Sequence, residues 1–201
     1  MRDPEQSGLT FPMGRSAHIL EKEALYSSDP HIRAYSVYLL AIEKDPSLKR
    51  HFLSAIRDND KRVRAQAAAA LAALGENALE DLVELLKDED WRVRYRAAEA
   101  LGKIPSSRGS DHLIRALTDG KDHVRYMAVK SLGQLGDRDA VPGIISRLSD
   151  ENENVRRMAA ISLGKIGGDD SFSAAGCALE TETSTSVRDA LRIVVQKRTE
   201  G

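Results

Sequence analysis

The chain has 201 residues, of which 41% are hydrophobic and only 4% aromatic, with five Tyr, three Phe and one Trp. Alanine and leucine, the strongest helix formers, supply most of the apolar residues, so the composition favours an all-α fold over a β-rich one. Thirty basic and 31 acidic residues give a formal net charge of -1, which excludes a global attraction to nucleic acid or membrane.

The N-terminal residues 1–15 contain two Pro and two Gly without a helical period, which predicts a flexible tail. No stretch approaches the roughly 20 apolar residues of a membrane span, and no signal-peptide run is present, so we expect a cytoplasmic protein. The single cysteine, Cys177, excludes intramolecular disulfides and cysteine-based metal sites.

An internal repeat follows the N-terminal tail. Segments such as VRYRAAEALGKIP, VRYMAVKSLGQLG and VRRMAAISLGKIG are near-copies, and each follows an amphipathic stretch and an Asp-rich turn. One unit is therefore predicted to be a helix, a short turn and a second helix. The marker dipeptide recurs every 30 to 32 residues, at Val63-Arg64, Val93-Arg94, Val124-Arg125, Val155-Arg156 and Val187-Arg188, with Ile32-Arg33 as a conservative sixth copy.

These motifs resemble the short HEAT-like repeats first described in phycobilin lyase subunits, over about residues 16–198. The resemblance implies an all-α fold, a right-handed α-solenoid of about six helix-pair repeats. It also implies that the second helix of each pair lines the concave side. We expect one solenoid domain over 16–201, with repeats at roughly 16–45, 46–75, 76–105, 106–136, 137–167 and 168–198.

A stripe of small residues runs along the second helices. When the Val of each repeat is position 1, positions 2, 6 and 10 share one arc of the helix. Position 10 holds Ala72, Gly102, Gly133 or Gly164. We expect this arc to face the neighbouring repeat, because close stacking would compensate the cost of glycine inside a helix.

The arginine at position 2 has an acidic residue six positions before it. We predict a structural ladder in which this acid caps the turn and pairs with the guanidinium. The alternative, a row of arginines that binds phosphates, is disfavoured because the acid already occupies each guanidinium. The ladder consists of Arg33, Arg64, Arg94, Arg125, Arg156 and Arg188 with Asp58, Asp88, Asp119 and Asp150, while Glu182 fills the acidic place in the last repeat and Ser27 in the first.

The outward positions 3, 4, 7 and 11 of the second helices are the candidate partner-binding surface, centred on the third to fifth repeats. Tyr, Met and Arg are enriched in protein interfaces, and bases outnumber acids here, so we expect a partner segment with acidic character. The alternative is an ordinary solvated helix face. The candidates are Tyr35, Tyr38, Tyr95, Arg96, Glu99, Tyr126, Met127, Lys130, Arg157, Met158, Ile161 and Lys165, bordered by Trp91.

Catalytic motifs are missing from the sequence. Deoxyhypusine hydroxylases, an enzymatic branch of these repeats, bind a di-iron centre through His-Glu dipeptides, whereas none of the five His here precedes Glu. Nucleotide-binding, hydrolase and metalloprotease motifs are also absent. The sequence therefore predicts a non-catalytic protein-binding module or assembly scaffold without a cofactor. By resemblance, an accessory subunit of a lyase and a nucleic-acid-binding protein remain open alternatives.

Overall fold

The computed structural model describes the backbone of residues 13–200 and the side chains of residues 18–197. Every regular element in that range is helical, and the fold class is all-α, an α-solenoid, as predicted. The predicted tail lies outside the described residues except for its last three, which belong to the first helix.

The chain divides into two compact units, Met1–Ala70 and Leu71–Gly201. The division falls within α4. The helices that begin in the first unit are α1 (Met13–Tyr26), α2 (Pro30–Ile42), α3 (Lys49–Ala55) and α4 (Lys61–Ala73). The second unit contains α5 (Leu79–Leu85), α6 (Trp91–Leu101), α7 (Ser107–Ala116), α8 (Asp122–Leu135), α9 (Val141–Ser146), α10 (Glu153–Ile166), α11 (Asp169–Thr181) and α12 (Thr185–Glu200).

The Asp-rich turns start the second helix of each pair. The side chain of Asp90 accepts a hydrogen bond from the amide of Arg92 and so caps α6, and Asn152 caps α10 through the amide of Asn154 in the same way. The start of α8 departs from this pattern, because the N-cap residue Lys121 has no side-chain acceptor. These three helix starts position the site described below.

Small residues bring α6, α8 and α10 into close contact within the second unit. A Cβ atom added to Gly102 would lie 2.4 Å from the Cβ of Ser131, and one added to Gly133 would lie 2.5 Å from the Cβ of Ser162. The buried hydroxyl of Ser131 donates to the carbonyl of Ala98 at 2.9 Å. The predicted small-residue contact between repeats is therefore confirmed at these positions.

The core of the second unit is built from alanine and larger aliphatic side chains that are almost fully buried. Its largest members are Leu71, Leu79, Leu82, Leu101, Leu113, Met127, Leu132, Ile144, Leu163 and Leu191. None of the described helices combines the length and the hydropathy that crossing a membrane would require.

Candidate functional site

Each ladder arginine ties the start of its helix to the preceding turn. Among the described residues, all six donate Nη1 to the backbone carbonyl six residues earlier, at 2.6 to 2.9 Å. The contacts are Arg33 to Ser27, Arg64 to Asp58, Arg94 to Asp88, Arg125 to Asp119, Arg156 to Asp150 and Arg188 to Glu182.

The carboxylate partner comes from the following repeat. Arg125 donates Nε and Nη2 to the two carboxylate oxygens of Asp150, both at 2.8 Å. The predicted pairing of Arg125 with the side chain of Asp119 is wrong, because that carboxylate is already engaged by Arg94 and by the amide of Lys121. The same two-bond geometry joins Arg33 to Asp58, Arg94 to Asp119 and Arg156 to Glu182.

These ion pairs make the fold sensitive to acid. Burial raises the pKa of Asp150, but the hydrogen bonds from Arg125 and the amide of Asn152 outweigh it and hold the pKa below its ordinary value. The hydrogen bond from Arg156 likewise lowers the pKa of Glu182, against the opposing effect of burial. A carboxylate whose pKa is depressed by folding adds stability above its unfolded pKa, and this stability is lost as pH falls through the folded value.

We therefore expect the urea midpoint to be highest near neutrality and to fall as pH decreases below about 4, the ordinary carboxylate range. The measurement is urea unfolding followed by circular dichroism between pH 7 and pH 2.5. Asp150→Asn should unfold at lower urea at pH 7 and show a shallower loss on acidification. An equal acid dependence in the two proteins would contradict the assignment.

A cleft of about 250 Å³ lies where α6, α8 and α10 begin. It brings together three of the predicted surface residues, Tyr95, Tyr126 and Arg157, from three successive repeats. Its volume is below the roughly 300–1,000 Å³ that is typical of small-molecule pockets. The remaining lining residues are Asp122, His123, Asn152, Asn154 and Val155.

The carboxylate in the cleft is fully engaged by its neighbours. Asp122 Oδ1 accepts the backbone amide of His123 at 2.9 Å and lies 2.8 Å from its Nδ1, while Oδ2 accepts Asn152 Nδ2 at 2.6 Å. The hydrogen bond from His123 outweighs partial burial and lowers the pKa of Asp122. Asp122 is therefore an ionised group that holds the wall of the cleft together.

The guanidinium in the cleft, that of Arg157, differs from the carboxylate in its hydrogen bonding. Arg157 is half-buried and forms no ion pair or hydrogen bond with any side chain or backbone group of residues 18–197. In the same described range, the hydroxyls of Tyr95 and Tyr126 and the side-chain amide of Asn154 also lack hydrogen-bond partners. Burial, and then the charge of Glu99, raise the pKa of Tyr95, so its hydroxyl stays a donor at neutral pH.

A second, more open depression of about 410 Å³ adjoins the cleft. The two share Asp122 and Asn152, which are joined by a hydrogen bond. Lys121 and Glu151 also line the depression.

Trp91 borders the cleft through an aromatic contact. Its ring lies 4.8 Å from that of His123, measured between centroids, with the planes tilted by 49°. Lys121 Nζ lies 5.5 Å from the centre of the same indole, within the range of a cation–π interaction. The only tryptophan of the sequence is thus placed next to a residue that lines the cleft.

Several predicted surface residues have other neighbours. Arg96 pairs with Glu99 and lies 5.2 Å from the ring centre of Tyr95. Met127 is only 2% exposed, so its predicted place on an outward surface is wrong. Its helical position is about 40° from that of Ser131, whose hydroxyl contacts the carbonyl of Ala98 on α6, so Met127 lies towards the flank that faces α6. Outside the lining of the cleft are Lys130, Met158, Ile161 and Lys165.

The predicted residues of the first repeat lie in the first unit. Tyr35 and Tyr38 are both exposed, and their rings are stacked with centroids 6.2 Å apart. Ile32 and Ile42 on the same helix are exposed as well. This is an apolar surface of α2, and it is described separately from the cleft of the second unit.

Sequence reasoning missed the polar residues at the helix starts, His123, Asn152 and Asn154. The missed signal is a break in the repeat. Before α4 and α6, the side chains of Asp60 and Asp90 accept the amides of Arg62 and Arg92, whereas the N-cap residues of α8 and α10 are Lys121 and Asn152. The cleft therefore lies where two adjacent repeats lack the Asp that the earlier repeats have at this position.

Among the described residues, no three His, Cys, Asp or Glu side chains are arranged so that they could hold a metal ion. The geometry of the second unit is instead that of a helix-pair repeat with a partly polar cleft along its second helices.

This architecture and the periodic ladder define the class, a helix-pair repeat protein. The sequence profile described as HEAT repeats matches residues 50–126 and 110–196. These ranges cover most of the chain, and the protein belongs to the HEAT-repeat family.

Solved structures with the same fold include natural and designed proteins. The complex of CpcE and CpcF of phycocyanin lyase from Nostoc sp. PCC7120 contains a chain with a TM-score of 0.69 and 21% identity, which covers 75% of this chain and 99% of that one. Human deoxyhypusine hydroxylase has a TM-score of 0.55 and 19% identity, and the match covers 93% of this chain and 90% of that one. A structure of computationally designed armadillo repeat proteins for modular peptide recognition has a TM-score of 0.52 and 17% identity. The match covers 90% of this chain and 98% of that one.

At these identities the likeness establishes the fold alone. No curated protein sequence matches the chain.

Proposed function

We propose that this protein is a non-catalytic binding module or scaffold whose cleft on α6, α8 and α10 receives an acidic side chain from an extended segment of a partner protein. The observation that carries the proposal is the imbalance of charge satisfaction in the cleft. Asp122 is engaged by His123 and Asn152, whereas Arg157 has no partner among the described residues. A carboxylate on the partner would complete the hydrogen bonding of Arg157.

The other groups in the cleft are suited to a peptide. The rings of Tyr95 and Tyr126 and the side chain of Val155 supply apolar walls. The amide of Asn154 can both donate to and accept from a peptide backbone. Such a mixture of aromatic, amide and guanidinium groups is typical of protein interfaces rather than of catalytic centres.

Two of the similar structures support a protein partner. One is a complex of two named subunits, and another is a designed repeat protein intended for modular peptide recognition. The supporting feature in this chain is its own cleft, which spans three successive repeats as an extended segment would require.

We expect the protein to bind fluorescein-labelled hexaglutamate, and Arg157→Ala to weaken the binding by about 10- to 100-fold. One charge-assisted hydrogen-bonded contact is worth about 1.5–3 kcal/mol, which corresponds to that range. The measurement is fluorescence anisotropy at low and at physiological salt, with labelled hexaglutamine as the neutral probe.

Arg138→Ala is the matched control, because Arg138 is an exposed arginine of the same unit that does not line the cleft. It should bind hexaglutamate as the parent protein does. Equal weakening by both substitutions would indicate general charge attraction and contradict the proposed site. Salt-sensitive binding of duplex DNA without binding of hexaglutamate would instead favour the nucleic-acid alternative.

A further inference from the structure

We propose that the first repeat binds the first repeat of a second copy of this chain, through a face of α2 that carries Ile32, Tyr35, Leu39 and Ile42 and that we call the end face. These side chains follow one another at intervals of three and four residues, so they share one side of the helix. The end face belongs to the first unit, and the proposal does not depend on the cleft of the second unit.

In the second unit, the corresponding side of each second helix packs against the preceding repeat. This contact is made at position 8, where the hydroxyl of Ser131 donates to the carbonyl of Ala98 on α6. At the same position of α12, Cγ2 of Val194 would lie 2.8 Å from a Cβ atom added to Gly164 on α10. Positions 1 and 8 are two helical turns apart and therefore lie on the same side of their helix.

Burial at these positions indicates that no described helix fills the corresponding place beside α2. Ile32, at position 1, is 45% exposed, whereas the valines at position 1 of the other repeats are at most 1% exposed. Leu39, at position 8, is partly exposed, whereas its equivalents are at most 2% exposed. A stripe of apolar side chains at this spacing is the kind of surface that packs against another helix. The equivalent residues are Val63, Val93, Val124, Val155 and Val187 at position 1, and Ala70, Ala100, Ser131, Ser162 and Val194 at position 8.

The last repeat does not offer the small residues that a further repeat would need. Positions 6 and 10 of α12 hold Arg192 and Gln196, and both side chains are exposed. The fifth repeat has the small residues Ala160 and Gly164 at these positions, which admit the next helix. Long polar side chains are typical of a repeat that caps a solenoid. Stacking of the first repeat of one copy on the last repeat of another is therefore disfavoured.

A second copy of the end face is the occupant that fits this charge pattern. The end face has no acidic or basic side chain, so two copies can approach without repulsion between like charges. In the third repeat, by contrast, Arg96 and Lys103 occupy the positions that correspond to Tyr35 and Ile42. A contact between two identical faces closes after two copies, whereas head-to-tail stacking would continue into a filament. We therefore expect a symmetric dimer.

The size of the end face sets the expected strength of the dimer. A fully buried aromatic side chain removes about 150–250 Å² from water, so the partly exposed rings of Tyr35 and its stacking partner Tyr38 offer about 200 Å² per copy. The aliphatic side chains raise the apolar area to about 300–400 Å² per copy. Since roughly 60% of an interface is apolar, two copies would bury about 1,000–1,300 Å² in total. This area lies at the lower end for specific interfaces, so we expect a weak dimer.

Sedimentation velocity of the full chain between about 5 and 500 µM tests the proposal. The weight-average sedimentation coefficient should rise with concentration towards that of a dimer, and no larger species should form. Ile42→Lys places a cation on the end face of both copies and should weaken the dimer at least tenfold. Lysine is compatible with the last residue of α2, because a cation is favourable at a helix C-terminus. A thermal melt followed by circular dichroism verifies that the variant is folded.

Ile193→Lys is the matched control, because Ile193 is 58% exposed, against 57% for Ile42, and lies on the second helix of the last repeat. It should dimerise as the parent protein does. Equal weakening by the two substitutions would overturn the inference. A parent protein that stays monomeric at 500 µM would also overturn it and leave the end face to a different occupant. Oligomers that keep growing with concentration would show head-to-tail stacking instead of a closed dimer.

Proton–nitrogen spectra of the parent protein locate the contact without any substitution. Raising the concentration from about 20 to about 500 µM should shift or broaden the amide signals of residues 32–42. The amide signals of residues 187–197 should stay unchanged. Concentration-dependent changes that are confined to α12, or to the helices of the cleft, would overturn the assignment of the end face even if the protein dimerises.

Discussion

Arg125→Ala is expected to lower the free energy of unfolding by about 3–5 kcal/mol, the cost of removing one partner of a buried ion pair. The side chain of Arg125 is 7% exposed and that of Asp150 only 2%, so this ion pair is more buried than the pairs Arg94–Asp119 and Arg156–Glu182. The substitution removes both hydrogen bonds from Arg125 to Asp150, which keeps only the longer 3.4 Å contact from Arg147, and it removes the hydrogen bond to the carbonyl of Asp119. Two successive repeats therefore lose a shared contact.

The measurement is urea unfolding at pH 7. Arg192→Ala is the matched control, because Arg192 pairs with Asp189 on the surface of α12 with both side chains more than half exposed. An exposed pair contributes at most about 1 kcal/mol. The double variant Arg125→Ala with Asp150→Ala should be less destabilised than the sum of the single variants. Equal losses for Arg125→Ala and Arg192→Ala would refute the role of the ladder.

Gly133→Ala is expected to lower the free energy of unfolding by about 1–3 kcal/mol, the usual range for overpacking. The new Cβ atom would lie 2.4 Å from the Oγ of Ser162 and 2.9 Å from its Cα, so the backbone of α10 has to move away from α8. The hydrogen bond from the hydroxyl of Ser162 to the carbonyl of Val129 would be disturbed as well. The steric cost exceeds the roughly 1 kcal/mol by which alanine is the better helix former.

Gly176→Ala is the matched control. Gly176 lies inside α11, and a Cβ atom at this position would have no neighbour within 4 Å. The substitution should stabilise the protein by about 0.5–1 kcal/mol, because only the helix propensity changes. The two variants are compared by urea unfolding, and the opposite signs of their effects are the test. A stabilised Gly133→Ala would show that the repeats can separate without cost.

The ladder illustrates where a periodic sequence becomes ambiguous. In a repeat of about 31 residues, the acid six positions before one arginine is also 25 positions after the previous arginine. Asp119 therefore satisfies both spacings, relative to Arg125 and to Arg94. Spacing identifies the members of the ladder but does not decide which carboxylate each guanidinium contacts.

The cleft was predictable only in part. Tyr95, Tyr126 and Arg157 follow from the outward positions of the second helices, because helical angles set the direction of each side chain. Met127 directly follows Tyr126, about 100° further round the helix, and it is buried although helical angles had placed it on the outward surface. Helical periodicity predicts which residues share a face of one helix, but it does not predict how close the next helix lies to that face.

By itself, the sequence determined the all-α repeat fold, the stripe of small residues and the membership of the ladder, since all three depend on periods that can be counted. Tertiary structure alone decided that the ladder carboxylates come from the following repeat. It also decided that Asp122 is engaged by His123 and Asn152 while Arg157 is not. The physical reason is that these contacts join residues about one repeat apart, and their distances depend on how closely the helices stack.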